Sequence, residues 1–260
     1  MTTPLVSVVT ISLDDIRGLR HTIAGVSAQD HEAVEHIVID GGSGPEVRAM
    51  LEATPNMAYW QSQRDGGRYD AMNIGLAHAT GSIIWFMHSG DTFASPQSIS
   101  TAIGAVGAPS AGWWAHGMAR LVDRAGRSRG LMGQKEFNLA RFAAGGVAIP
   151  HQATFFHRAL FDEIGVHDLS VGLAADQEFM LRAALRRPPI VIDEILCDFD
   201  ISGAGSTRGV HPHFVDMRRA ARAHIEMSAS ARLAHLARSY IVEARSHMAY
   251  ARLRMRVRTR

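Results

Sequence analysis

The chain has 260 residues, 47% of them hydrophobic and 20% charged, which excludes a disordered or fibrous protein and suits one large α/β domain or two small ones. No uncharged apolar run of about 18 residues is present, and the start MTTPLVSVV lacks the basic opening and apolar stretch of a secretory signal, so a cytoplasmic protein is expected. The formal charge of +2 hides a split: residues 217–260 carry eleven Arg against Glu226 and Glu243, a balance of +9, which leaves the first 216 residues at −7.

Val6 to Ile11 (VSVVTI) is a short β-branched run, as expected of a strand buried on both faces. Asp14 and Asp15 offer an N-cap to a helix bearing Ile16, Leu19, Ile23 and Val26 at helical spacing. A second strand, Val34 to Ile39, ends in Asp40-Gly41-Gly42-Ser43, and Pro45 opens a helix reaching about Ala53. A third strand, Met57 to Gln61, leads through Arg64-Asp65-Gly66-Gly67 into a helix from about Tyr69 to Ala79. Gly81 stops that helix, and Ser82 to Met87 forms a fourth strand ending in His88-Ser89-Gly90-Asp91. Strand and helix alternate over short links, which predicts a parallel, doubly wound sheet.

The rhythm changes after Pro96. Trp113 to Val122 and Arg127 to Met132 flank Asp123-Arg124-Ala125-Gly126 and read as a hairpin. A short helix near Leu139, an extended piece from Val147 to Phe156, a helix opened by Asp176 and a strand from Ile190 to Leu196 complete the body. From about Pro212 to Arg260 the pattern is helical. Cys197, the single cysteine, reads as core.

In a doubly wound sheet, ligands bind beyond the carboxyl ends of the strands. Polar clusters stand at four such ends: Thr10 and Ser12, Asp40 to Ser43, Arg64 to Asp70, and His88 to Asp91. The chain has neither G-x-G-x-x-G after its first strand nor G-x-x-x-x-G-K-[ST], so neither a dinucleotide dehydrogenase nor a P-loop enzyme is supported. A bound diphosphate would then need neutralising by other means, most simply by a hard divalent cation on Asp91 with phosphate oxygens and water.

The series VSVVTI, IVIDGGS, GGRYDAMNIGLAHATG, WFMHSGD, PHQATFF and AADQEFMLR resembles the family-2 glycosyltransferases of GT-A fold, closest to the branch that builds bacterial surface polysaccharides and glycolipids. The likeness covers about residues 4–200. It implies a fold with a Rossmann-like nucleotide-binding half around a mostly parallel sheet, a half with mixed strands, and C-terminal amphipathic helices. On this reading residues 1–211 form the transferase domain, 1–96 holding the nucleotide sugar and 97–211 the acceptor, while 212–260 are a basic extension.

The resemblance implies an inverting, metal-dependent transfer from a nucleoside-diphosphate sugar to a hydroxyl acceptor. Donor-binding positions carry over to Thr10, Ser12, Asp40, Arg68, Asp70, Asn73, Ser89, Gly90 and Asp91, with Tyr69 in the same loop. Asp91 matches the last acid of the family's DxD-type motif and would touch Mn²⁺ or Mg²⁺; Ser89 and Gly90 stand where other members carry acids. One acid can suffice, because Mg²⁺ commonly uses one or two carboxylates beside phosphates and water. Asp176 matches the catalytic base, which the chemistry requires because a hydroxyl is a poor nucleophile until its proton is taken. Glu178, two residues on, should point elsewhere. His151 and Gln152 match a polar pair near acceptor and leaving phosphates. The glycine-rich stretch Ile201 to Pro212 reads as a flap whose Ser202, Ser206, Arg208 and His211 can reach a diphosphate, or as a solvated linker. Trp113 and Trp114 suit either a sugar face or the core.

In the basic arm, Leu233, Leu236, Ala237, Tyr240, Ile241, Ala244, Met248, Ala251 and Met255 form one apolar stripe among arginines. It suits a helix packed on its own domain, or one lying on an anionic membrane that carries a lipid-linked acceptor. No nucleic-acid reading motif is recognisable. The alternative for the whole chain is a degenerate relative that binds a nucleotide sugar or a partner without turnover, motivated by the single acid and by Gly41.

Overall fold

The computed structural model describes residues 3–107, 109–146, 148–202 and 210–258. Nine strands form one sheet in the order β3-β2-β1-β4-β8-β6-β9-β5, with β7 also on β6. The first four, β1 (Val6–Ser12), β2 (Val34–Asp40), β3 (Tyr59–Ser62) and β4 (Ile83–Phe86), run parallel. β1 alternates between two buried faces: Val9 and Ile11 enter one apolar cluster, Val6 and Val8 the other. That period of two, with both faces covered, is the reason the run is apolar throughout.

Helices α1 (Ile16–Ser27), α2 (Pro45–Ala53) and α3 (Arg68–His78) make the crossovers. Asp15 caps α1 by accepting the Gly18 amide at 3.0 Å, as its position suggests. α1 also lies against the loop after β4. An ideal Cβ at Gly18 would stand 1.9 Å from Asp15 Oδ2 and 2.8 Å from the Gly90 nitrogen. Gly18→Ala is therefore expected to cost about 1–3 kcal/mol by overpacking, read as a lower urea midpoint at unchanged slope.

The second half is mixed, as the fold class implies. β8 (Thr154–His157) runs antiparallel to β4 and to β6 (Trp114–Val122), which pairs with β7 (Ser128–Met132) as the predicted hairpin. β9 (Ile190–Asp200) is parallel to β6 and outruns its predicted end at Leu196 by four residues. A two-residue strand, β5 (Thr92–Phe93), lies antiparallel on β9 with Thr92 opposite Asp198 and Phe93 opposite Cys197. Neither β5 nor the helices α4 (Ser98–Val106) and α6 (Ala159–Ile164) is predicted by the sequence patterns.

Other expectations are corrected. The extended piece ahead of Phe156 is broken by a 3-10 turn, His151–Ala153, and Val147 falls outside the described residues. α5 (Leu139–Ala143) is the short helix expected near Leu139. α7 (Ala175–Arg186) is capped at Ala174 without a side-chain bond, so Asp176 lies within its first turn and is not the cap. The C-terminal helical segment is two helices, α8 (Val210–His224) and α9 (Ala229–Arg258). Trp113 and Trp114 are core, the Trp114 indole donating to the Arg187 carbonyl at 3.0 Å.

Candidate active site

Because β1, β2, β3, β4, β6 and β9 all point the same way, their carboxyl ends share one edge of the sheet. Asp91 follows β4 and is 5% exposed. Gln152 Nε2 donates to one of its carboxylate oxygens at 2.7 Å, and the backbone amide of Asp200 to the other at 2.8 Å. Burial pushes the Asp91 carboxyl up to about 8, against those two hydrogen bonds, and the nearby Asp200 charge pushes the same way as burial.

Asp200 is the residue the sequence reading passes over. Thr92 opposite Asp198 brings the end of β9 beside Asp91 across 109 residues of chain. Its carboxylate accepts from Ser202 N at 2.7 Å and Ser202 Oγ at 2.8 Å. A Cβ at Gly90 would meet Asp200 Oδ2 at 3.5 Å and Asp15 Oδ2 at 3.7 Å, so two further carboxylates flank the turn that carries Asp91. Gly90 itself has φ of 94°, a conformation glycine adopts freely. Ser89 fixes Asp15 by donating to its carboxylate at 2.8 Å.

Arg68, first residue of α3, is exposed and makes no hydrogen bond or ion pair among the described residues, yet its charge acts on Asp91, His88 and His151. Asp70 closes its own loop by accepting the Gly66 amide at 2.7 Å. Asp40 is fully buried and accepts from Gly42 N, Ser43 N, Ser43 Oγ and Ser62 Oγ, so its carboxylate is held by its own turn and by β3. Thr10 is fully buried within β1 and bonds His36 Nε2 at 2.9 Å, apart from the exposed groups. Ser12, at the strand end, has a buried hydroxyl with no partner.

Across the edge stands α7. Tyr69 Oη lies 3.0 Å from Asp176 Oδ1 and 2.6 Å from the Leu173 carbonyl, and Gln177 Nε2 lies 3.2 Å from Asp176 Oδ2. Burial and the Asp176 charge push the Tyr69 phenol well up, so it is a donor. Gln177 also clamps Ile149 through both its carbonyl and its amide, at 2.9 and 3.1 Å, which seats His151 and Gln152 between α7 and β4. The Trp85 indole donates to the Gln152 carbonyl at 2.8 Å and completes that seat. Burial holds His151 neutral, its pKa lowered to about 4. Asn73 turns away from the edge and pins His167, donating to its carbonyl at 2.9 Å and accepting its amide at 3.1 Å.

Glu178 points elsewhere, as its spacing suggests. It is 1% exposed and meets Arg182 at 2.7 and 3.0 Å and His224 Nε2 at 2.7 Å, tying α7 to α8. Glu178→Gln is expected to lose about 3–5 kcal/mol, the cost of leaving a buried ionic partner uncompensated, and to lower the melting temperature without changing nucleotide affinity. His211 bonds Glu243 on α9 through Nδ1. Ser206 and Arg208 lie outside the described residues. His213, whose ring feels the Asp176 charge, was unflagged in the sequence because it sits among helical residues.

A curled, mostly parallel sheet continued by mixed strands, with helices at the C-terminus, is the GT-A fold. The chain belongs to glycosyl transferase family 2, whose profile matches residues 7–165. It is 48% identical over 225 residues to an uncharacterized glycosyltransferase of Mycobacterium tuberculosis, covering 85% of this chain and 84% of that one. A PGL/p-HBAD biosynthesis glycosyltransferase of Mycobacterium bovis is 28% identical over 188 residues, 70% of each chain. Two solved structures share the fold: Staphylococcus aureus TarS 1–349 in complex with UDP-GlcNAc, and the Pyrobaculum calidifontis mannosyltransferase PcManGT in complex with GDP-Man and Mn²⁺. TarS has TM-score 0.66 at 16% identity, over 91% of this chain and 71% of that one. PcManGT has TM-score 0.64 at 19% identity, over 96% and 76%. The protein is thus a family-2 glycosyltransferase.

Proposed function

We propose that the protein moves a sugar, with inversion, from a nucleoside-diphosphate sugar to a hydroxyl of a glycan or glycolipid acceptor in surface-glycan synthesis, and that the reaction requires Mn²⁺ or Mg²⁺. The observation that carries this reading is the pairing of Asp91 and Asp200 at the sheet edge. Burial pushes the Asp91 carboxyl up despite two hydrogen bonds and the Arg68 charge, so its ionised form is short of positive charge, and a second carboxylate beside it deepens the need. Each Asp91 oxygen takes one hydrogen bond, which leaves each a lone pair. Asp91 would hold the cation, with Asp200 as the second acid; when bound, the cation supplies positive charge to the leaving diphosphate.

The other steps belong to this chain's side chains. Arg68 meets the phosphates, and Gln152 keeps the Asp91 carboxylate in one orientation. Asp176 takes the proton of the acceptor hydroxyl as that oxygen attacks the anomeric carbon, while Tyr69 and Gln177 hold its two oxygens in place. Direct displacement with a single base yields the inverted product. A thermal-shift panel of nucleoside diphosphates and their sugars, with and without Mn²⁺, tests the reading. A metal-dependent rise with at least one nucleotide is expected, since a ligand of the folded state raises its stability. No response to any nucleotide with metal would sink it, and binding without transfer or hydrolysis would favour the degenerate alternative.

The proposed function also covers α9. Its buried positions are polar, Ser239 and Glu243, whereas Leu233, Tyr240, Ile241 and Met248 are 53–69% exposed. These four residues of the stripe therefore face away from the domain, Leu236 is half-buried, and Arg238 and Arg245 are exposed on the same helix. Among the described residues no helix is long and apolar enough to cross a membrane. Exposed apolar residues beside arginines fit a helix lying on an anionic leaflet. Co-sedimentation with phosphatidylglycerol vesicles but not with phosphatidylcholine vesicles is the expected result, lost in Ile241→Asp/Met248→Asp.

A further inference from the structure

Away from the sheet edge, the contact between α8 and α9 gathers a different set of donors. His211 lies in the first turn of α8, and Glu243 and His247 stand one turn apart on α9. One nitrogen of each ring and one Glu243 oxygen all lie within 4.8 Å of one another. The Glu243 side chain is only 8% exposed and is held in one orientation, because Arg218 Nη1 donates to Oε2 at 2.6 Å. Arg218 is itself fixed, reaching Ser239 Oγ at 3.2 Å and covering the Tyr240 ring at 4.4 Å. The other oxygen, Oε1, faces both imidazoles: His211 Nδ1 in hydrogen-bond contact and His247 Nε2 at 3.8 Å.

Two imidazoles and one carboxylate oxygen are the donor set of a four-coordinate zinc-type ion whose fourth ligand is water. An outer partner that orients the ligating carboxylate, here Arg218, is the usual companion of such a site. Bonds of about 2.0–2.1 Å at tetrahedral angles place donor atoms a little over 3 Å apart, and the two rings, 64% and 51% exposed, are free to move that far. Nitrogen donors select zinc, nickel, cobalt or copper over the magnesium or manganese that the oxygen-lined Asp91 suits. We propose that His211, Glu243 and His247 bind a divalent transition metal of the zinc class, which clasps the start of α8 to the middle of α9. The clasp is independent of the donor site and of the reading given above.

The test uses the full chain without an affinity tag, stripped with a chelator and titrated with Co²⁺ and then Zn²⁺ in the absence of nucleotide. One equivalent of Co²⁺ with the visible absorption of a four-coordinate ion is expected, displaced by Zn²⁺, with a melting temperature that climbs as Zn²⁺ is added. Binding should weaken as pH falls and the imidazoles protonate. His211→Ala/His247→Ala, both at exposed positions, should lose the equivalent while keeping the parental circular dichroism; Asp91→Asn should keep it. Absence of binding in the parent at micromolar Zn²⁺ would leave a His-Glu ion pair only and overturn the proposal. Binding that survives the double histidine variant, or that disappears in Asp91→Asn, would overturn it equally.

Discussion

Asp176→Asn is expected to slow sugar transfer by a factor of roughly 10²–10⁴, the contribution of a positioned general base, while binding the nucleotide sugar as the parent does. Asparagine keeps an oxygen for Tyr69 Oη, so the fold around α7 should persist. The loss should appear in kcat for the acceptor reaction, with donor affinity by calorimetry unchanged. A variant that transfers sugar at the parental rate would remove Asp176 from the base role. Glu178 is no substitute, because its carboxylate is buried against Arg182 and His224.

Asp91→Asn should lower metal-dependent donor affinity by on the order of 100-fold or more, beyond what losing an outer partner of a metal ligand costs. It should also change how stability varies with pH. Burial raises the Asp91 carboxyl from 3.8 to about 8. A carboxyl whose folded pKa exceeds its unfolded value takes up a proton on folding. Its stabilising contribution is therefore complete below about pH 4, declines as pH rises, and is gone above about pH 8. Asparagine cannot ionise, so the metal-free variant should show a shallower fall in melting temperature between pH 4 and 8 than the parent. Equal slopes in the two proteins would show that Asp91 is not a buried, uncompensated acid.

The parallel half of the sheet was legible because its signals are local. Val6 to Ile11 and Val34 to Ile39 carry the apolar continuity of doubly covered strands, and Pro45 marks the start of α2, whereas α3 ends at His78, ahead of Gly81. The spaced motifs singled out Asp91 and Asp176, which the structure puts after β4 and in the first turn of α7. What escaped depends on pairing between distant segments. β5 has two residues, too few for any periodicity, and only its register with β9 reveals that Asp200 stands beside Asp91. Likewise, nothing near Asp40 in the sequence shows that Ser62, on β3, shares in filling its carboxylate. The arm was legible as amphipathic, and α8 does bury apolar Phe214, Met217, Ala220 and Ala221, but among the described side chains of α9 the buried ones are Ser239 and Glu243, because Arg218 and Glu243 pair across the two helices.

The short strand β5 also bears on how the molecule is made. Asp91 emerges from the ribosome long before Gln152 and Asp200, the two residues that hold its carboxylate. A nascent chain that stops short of β9 would have the first four strands and their crossovers but no partner for β5. The acidic corner is therefore closed only when the end of β9 is laid against Thr92 and Phe93. Until then Asp91 lacks both the Asp200 amide that holds one of its oxygens and the neighbouring Asp200 charge.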